Sequence, residues 1–123
     1  MIKYNNILAW REIVRITDAV CRRYNLTYGD IVPETDLRVR YYGEARACDI
    51  CIKNCRPERC REKTITIRIH QYKKPHIPLS NTTIIRTLAH ELAHLDPRCW
   101  HHSKEHKQLT DEIIKFIKNE LIK

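Results

Sequence analysis

The residues most able to do chemistry lie together in Thr87-Leu88-Ala89-His90-Glu91-Leu92-Ala93-His94-Leu95. On a helix, residues i and i+4 share a face, so His90 and His94 can aim both imidazoles at one point. Two neutral imidazoles meeting at a point are a metal site in outline. Glu91 lies about 100° round from His90 and can reach a water on that metal as a base. Ile84, Ile85, Leu88, Leu92 and Leu95 form an apolar stripe that buries this helix. Burying two unpaired imidazoles with it would be costly, and a metal removes that cost.

A metal that activates water needs three protein ligands and one position for the water. The downstream candidates are Cys99, His101, His102, Glu105, His106 and Glu112. His102 is the expected third ligand. It directly precedes Ser103, at the start of a last helix, on a connector able to reach the metal. His106 comes next, because it shares a helix face with His102, and His101 and Glu112 rank after it. The short metzincin spacing is excluded, since Pro97 holds its glycine position and Trp100 its third-ligand position.

A second group of soft ligands is Cys48, Cys51, Cys55 and Cys60, in the pattern Cys-x-x-Cys-x-x-x-Cys-x-x-x-x-Cys. Four thiolates can hold a second, structural zinc. Disulfides are the rival and the preferred expectation, since a short hairpin can be stapled without a metal cage. An iron–sulfur cluster is disfavoured, because only half the spacing suits one. Of the other two cysteines, Cys21 reads as core, and Cys99 as an inert thiol beside the metal helix.

The surrounding pattern supplies the elements that position these groups. A first helix is expected from about Asn5 to Tyr24, with Leu8, Ile13, Val14, Ile16, Thr17, Val20, Cys21 and Tyr24 mostly on one broad face. Gly29 and Pro33 punctuate the chain after this helix. Leu37, Val39 and Tyr41 alternate with Arg38, Arg40 and Tyr42, which predicts a strand with one buried face. Thr64–His70 alternates more cleanly and predicts another. Between them lies a cysteine-rich hairpin, about 43–63. Ser80 or Asn81 caps the metal helix, and Asp96-Pro97 ends it. A last helix is expected over about 103–122, with Leu109, Ile113, Phe116, Ile117 and Leu121 as its stripe. The order reads as one compact α+β domain over residues 1–123.

The totals narrow the class. The chain has 123 residues, enough for one domain and few for two. No stretch approaches the length of a membrane span. Met1-Ile2-Lys3-Tyr4-Asn5-Asn6 lacks a signal-peptide plan, so a cytoplasmic location is expected. Net charge is +8, but the basic residues are scattered rather than gathered on one face. Nucleic acid is therefore a partner to consider and not the favoured one.

Thr64–His70, the run Ile84–Leu95 and His102-Ser103 together resemble the minigluzincins, minimal zinc peptidases whose third ligand is a histidine. Their catalytic domains are similar to those of HtpX-type and BlaR-type membrane peptidases. The match in plan covers about Leu37 to Phe116, and the metal helix alone is motif-specific. The four-cysteine insertion departs from it. The resemblance implies a zincin-like α+β domain with a small twisted sheet. It implies catalytic zinc on His90, His94 and His102, with Glu91 as general base in peptide hydrolysis. The stretch Tyr42-Gly43-Glu44-Ala45 is similar to the zincin edge strand that pairs with an extended peptide. The family is held latent by its C-terminal segment, within one chain or across two. A homodimer that exchanges the last helix is the matching expectation here. Two alternatives stand beside it: a Spartan-type protease associated with DNA, similar in placing a histidine shortly after His-Glu-x-x-His, and a non-catalytic zinc-binding module.

Overall fold

The structure, a computed structural model, describes residues 9–122 other than Tyr72 and His76. Helix α1 runs Trp10–Tyr24 and buries Ile13, Ile16, Thr17, Val20 and Cys21, the spacing of one helical face. It ends at Asn25, whose φ of 55° turns the chain left-handed, and Leu26 N–H returns to the Cys21 carbonyl at 2.8 Å. The expected start at Asn5, including Leu8, lies outside the described residues.

Three strands come next: β1 Asp30–Pro33, β2 Gly43–Arg46 and β3 Thr64–Ile67. The sheet order is β1-β3-β2. β1 is parallel to β3 with Ile31 opposite Ile65, and β2 is antiparallel to it with Ala45 opposite Ile65. Ile65 and Ile67 point into the core at 0% exposure while Thr64 and Thr66 stay half-buried. β2 is thus an edge strand. The loop from β2 to β3 holds a five-residue helix, α2 Asp49–Lys53, and a 3₁₀ turn Pro57–Arg59. The expected hairpin is present in topology, with helical turns in its connection.

Two strand expectations need correcting. Residues 37–42 form no strand, and Leu37 is 51% exposed. The chain there wraps a buried cation. Arg68, 1% exposed, donates to the main-chain carbonyls of Asp36 at 2.8 Å, Val39 at 2.6 Å and Tyr41 at 3.2 Å. Carbonyls that converge on one guanidinium cannot also face a neighbouring strand. The strand is instead β1, at the stretch read as punctuation. β3 also stops at Ile67, short of His70, which makes an isolated bridge to Pro78.

Helix α3 is Asn81–Ala93 and helix α4 is Lys104–Phe116, continued by a π-type turn Ile117–Leu121. α3 and α4 pack on each other, and α1 meets α3. One core joins Ile13, Ile16 and Val20 of α1, Ile31, Ile65 and Ile67 of the sheet, Ile84, Leu88 and Leu92 of α3, and Ile113 and Ile117. Ile113 and Ile117 are 0% exposed, and Leu109, Phe116 and Leu121 pack partly buried beside them. The stripe of the last helix is therefore covered within one chain. The architecture is α+β, four helices with a small mixed sheet, as the pattern predicts. No helix among the described residues is long and apolar enough to cross a membrane.

Candidate metal centre

Capping fixes where the histidines stand. Ser80, in extended conformation, accepts from Thr83 N–H at 3.2 Å and starts α3. The face with Ile84, Ile85, Leu88, Ala89 and Leu92 goes into the core. His90 and His94 are then left on the last turn, at the rim. After α3, Asp96 caps a 3₁₀ turn Pro97–Cys99 by accepting from Arg98 N–H at 2.9 Å. That turn brings the Cys99 carbonyl within 2.9 Å of His94 Nδ1. Ser103 caps α4 by accepting from His106 N–H at 3.2 Å. His102, the residue before that cap, is thereby held against α3.

Three ring nitrogens converge. His102 Nε2 lies 3.0 Å from His90 Nε2 and 3.2 Å from His94 Nε2. The ring centroids stand 4.9, 4.9 and 5.1 Å apart, close to an equilateral triangle. Nitrogens at about 2.0–2.1 Å from a tetrahedral zinc are separated by about 3.3–3.4 Å. The observed spacing fits such an ion with little movement. The tautomer fits too. A carbonyl only accepts, so His94 Nδ1 carries the hydrogen and Nε2 presents its lone pair inward.

His106, the second candidate, also brings a ring nitrogen within 4.8 Å of ligand atoms of His90 and His94. Its Nε2 is committed elsewhere: it donates to the His90 carbonyl at 2.9 Å. That carbonyl is one of the last four of α3, which have no main-chain partner within the helix. The His106 ring also stacks on His94 at 4.1 Å and 25°. His106 thus braces both α3 histidines, and its Nδ1 leaves it within reach as the alternative third ligand beside His102. His101 is exposed and outside the cluster. Glu112 faces a groove with Arg23 and Tyr24 on the α1 side. Cys99 contributes its carbonyl, while burial pushes its thiol up in pKa and makes it a poor nucleophile. Cys21, pushed up to about 12 mainly by burial, is core.

Glu91 is 7% exposed and points away from the core helix face, toward β2. Burial, helped by the charge of Glu44, raises its carboxyl to about 7. Burial first, then His106, pushes His94 down to about 4, and burial lowers His90 and His106 as well. Neutral imidazoles are the form that binds a metal. Gly43 of β2 makes the close approach: a Cβ there would lie 2.7 Å from Thr87 Cγ2 and 3.0 Å from Glu91 Oε2.

A cleft of about 370 Å³ opens over this group, lined by Gly43, Glu44, Ala45, Trp100 and the three histidines with Glu91. Sequence reasoning named His90, Glu91, His94 and His102, which the fold brings together. It missed Glu44 as a charge on Glu91 and Trp100 as a wall beside His94, at 6.2 Å between ring centroids. It also missed Gly43 as the residue that makes room for Glu91. Scarcity was the available signal, since the chain has only two glycines. The expected disulfides are not formed: all six cysteines are free, and Cys48, Cys51 and Cys60 cluster without Cys55. Compared with protein-family models, curated proteins and solved structures, the chain matches none, so the centre is described from its own geometry, as a cluster of histidines that could hold a metal ion.

Proposed function

We propose that this protein is a zinc-dependent peptidase that cuts peptide or protein substrates. The observation that carries the reading is the buried Glu91 beside three converging imidazole Nε2 atoms, under an open edge strand. Zinc bound there supplies Lewis acidity toward a carbonyl and makes water acidic near neutral pH. His90, His94 and His102 would hold the ion, with the Cys99 carbonyl and His106 bracing the rings. Glu91, buried beside these imidazoles, would take a proton from the attacking water and return it to the leaving nitrogen. A buried carboxylate beside the imidazoles adds nothing to a metal that only holds the fold, which favours a reactive site.

The outer edge of β2 supports a substrate class. Gly43, Glu44 and Ala45 form one wall of the cleft and, among the described residues, pair on one side alone, with β3. An extended peptide can add to the free side by main-chain hydrogen bonds, crossing the histidines as it does. Recognition of that kind selects extended, unfolded chain more than sequence. Trp100 offers one apolar wall for a side chain.

Glu91→Gln tests the reading. Wild type and variant are loaded with zinc to equal content and given an unstructured protein substrate. The expected result is hydrolysis by wild type, stopped by a chelator. The variant should keep its zinc and lose about a hundredfold or more in rate. Equal rates in the two zinc-loaded proteins would overturn the role of Glu91. Zinc binding without hydrolysis in wild type would leave a non-catalytic zinc module as the function.

A further inference from the structure

We infer that Cys48, Cys51 and Cys60 form a second metal site, a thiolate site for zinc or a similarly thiophilic divalent ion, and that this ion holds the β2–β3 loop in shape. The inference does not depend on peptidase activity.

The loop has little else to order it. Neither α2 nor the Pro57–Arg59 turn has a buried residue. Ile50 and Ile52 of α2 are 72% and 45% exposed. A five-residue helix is far below the length at which a helix persists by itself. Such a segment needs a cross-link that compensates for its conformational entropy.

The thiols are arranged for one. Cys48 sits at the start of α2 and Cys51 one turn on, so both side chains face the same way. The Pro57–Arg59 turn returns Cys60 to them, with Cys60 N–H bonded to the Pro57 carbonyl at 3.2 Å. Cys60 Sγ lies 3.5 Å from Cys48 Sγ, and all three sulfurs lie within 4.8 Å of one another. Sulfurs about 2.3 Å from a tetrahedral zinc are separated by about 3.8 Å. Cys48 N–H also points at Cys60 Sγ, at 3.4 Å, the contact that favours a thiolate over a thiol.

Charge agrees. Three thiolates around a divalent cation carry a net negative charge, and a buried cation stands beside them. Lys63 is 0% exposed and donates to the Glu58 carbonyl at 2.9 Å and the Leu95 carbonyl at 3.4 Å. Burial lowers the Lys63 pKa, and the first of the charges that oppose this is Cys60, ahead of Glu58 and Asp96. Cys55, exposed and outside the cluster, is not required for binding.

The test loads the intact protein, purified under reducing conditions, with cobalt(II). Thiolate ligands give an intense near-ultraviolet charge-transfer absorption that imidazole ligands lack. Wild type should bind two ions per chain and show that band. His90→Ala/His94→Ala should bind one and keep the band. Cys51→Ser should lose the band and keep one ion. Cys55→Ser should keep both. In the histidine double variant, chelator should open the loop to trypsin at Lys53 and Arg59. Should Cys51→Ser fail to fold, the wild-type spectrum and stoichiometry still decide. One ion per chain with no charge-transfer band overturns the inference. So does an intact mass showing a disulfide in place of a metal. Loss of the band in Cys55→Ser would overturn the three-ligand assignment.

Discussion

The histidine centre and the cysteine cluster are both trios of ligands, yet they are built in opposite ways. The histidines stand on α3 and at the start of α4, against a core that is complete without them. Each α3 ring is held by the protein: His94 through the Cys99 carbonyl, and both by His106. The cysteines stand on a loop whose helical turns bury nothing. In the first case the fold makes the site. In the second the site makes the local fold. A pre-formed site can spare a metal's remaining position for chemistry, whereas a metal that organises a loop contributes to folding.

The variants that press this contrast hardest remove a ligand. His94→Ala should lower zinc affinity at the histidine centre by more than the roughly 10–100-fold that outer-shell changes cost, with a cooperative melt retained. Chelator competition and calorimetry on one sample check both. A variant that unfolds would show that the two sites are less different than their surroundings imply. Next, His106→Ala should cost about 10–100-fold in zinc affinity, and His102→Ala more. The reverse order would move the third ligand one turn into α4. Smaller again, Gly43→Ala should keep the metal and cut turnover by about tenfold. Its Cβ would meet Glu91 Cγ at 2.9 Å and displace the carboxylate, and misplacement by about 1 Å can cost up to about 100-fold. Unchanged turnover would mean that β2 yields freely. The smallest effect belongs to Ser103→Ala. It should remove about 1 kcal/mol of helix capping and weaken zinc about fivefold by loosening His102. Titration at matched temperature would detect it.

The two trios also differ in how far the sequence betrays them. His90, Glu91 and His94 are legible because helical spacing alone puts them on one turn, and the stripe Ile84, Ile85, Leu88 and Leu92 confirms the helix. His102 is legible through Ser103, which marks where a helix must begin. The cysteine spacing was visible, but four evenly available thiols did not reveal that Cys55 stands apart. That comes from the turn at Cys55, whose φ is 56°, and not from spacing. The false strand at 37–42 has a comparable origin. Alternation there was real, but Arg68, distant in sequence, gathers the carbonyls of that stretch. β1 was hidden because its apolar residues Ile31 and Val32 stand side by side between Asp30 and Pro33 and show no alternation. Local periodicity reports local structure, and a long-range hydrogen bond can override it.

Trp100 touches both regions. The Lys63 ammonium lies 4.9 Å from its ring centroid, while its edge approaches the His94 ring. One indole is therefore a built-in optical gauge for two events. Loading the histidine centre changes the charge on its one side, and loading the cysteine cluster changes the field around the cation on its other side. Indole emission responds to such fields, and the chain's second tryptophan, Trp10, starts α1 and packs partly buried against the core. Adding metal to the cysteine variant and then to the histidine variant would give two separate emission changes from the same fluorophore, so the order in which the ions arrive could be followed without a label.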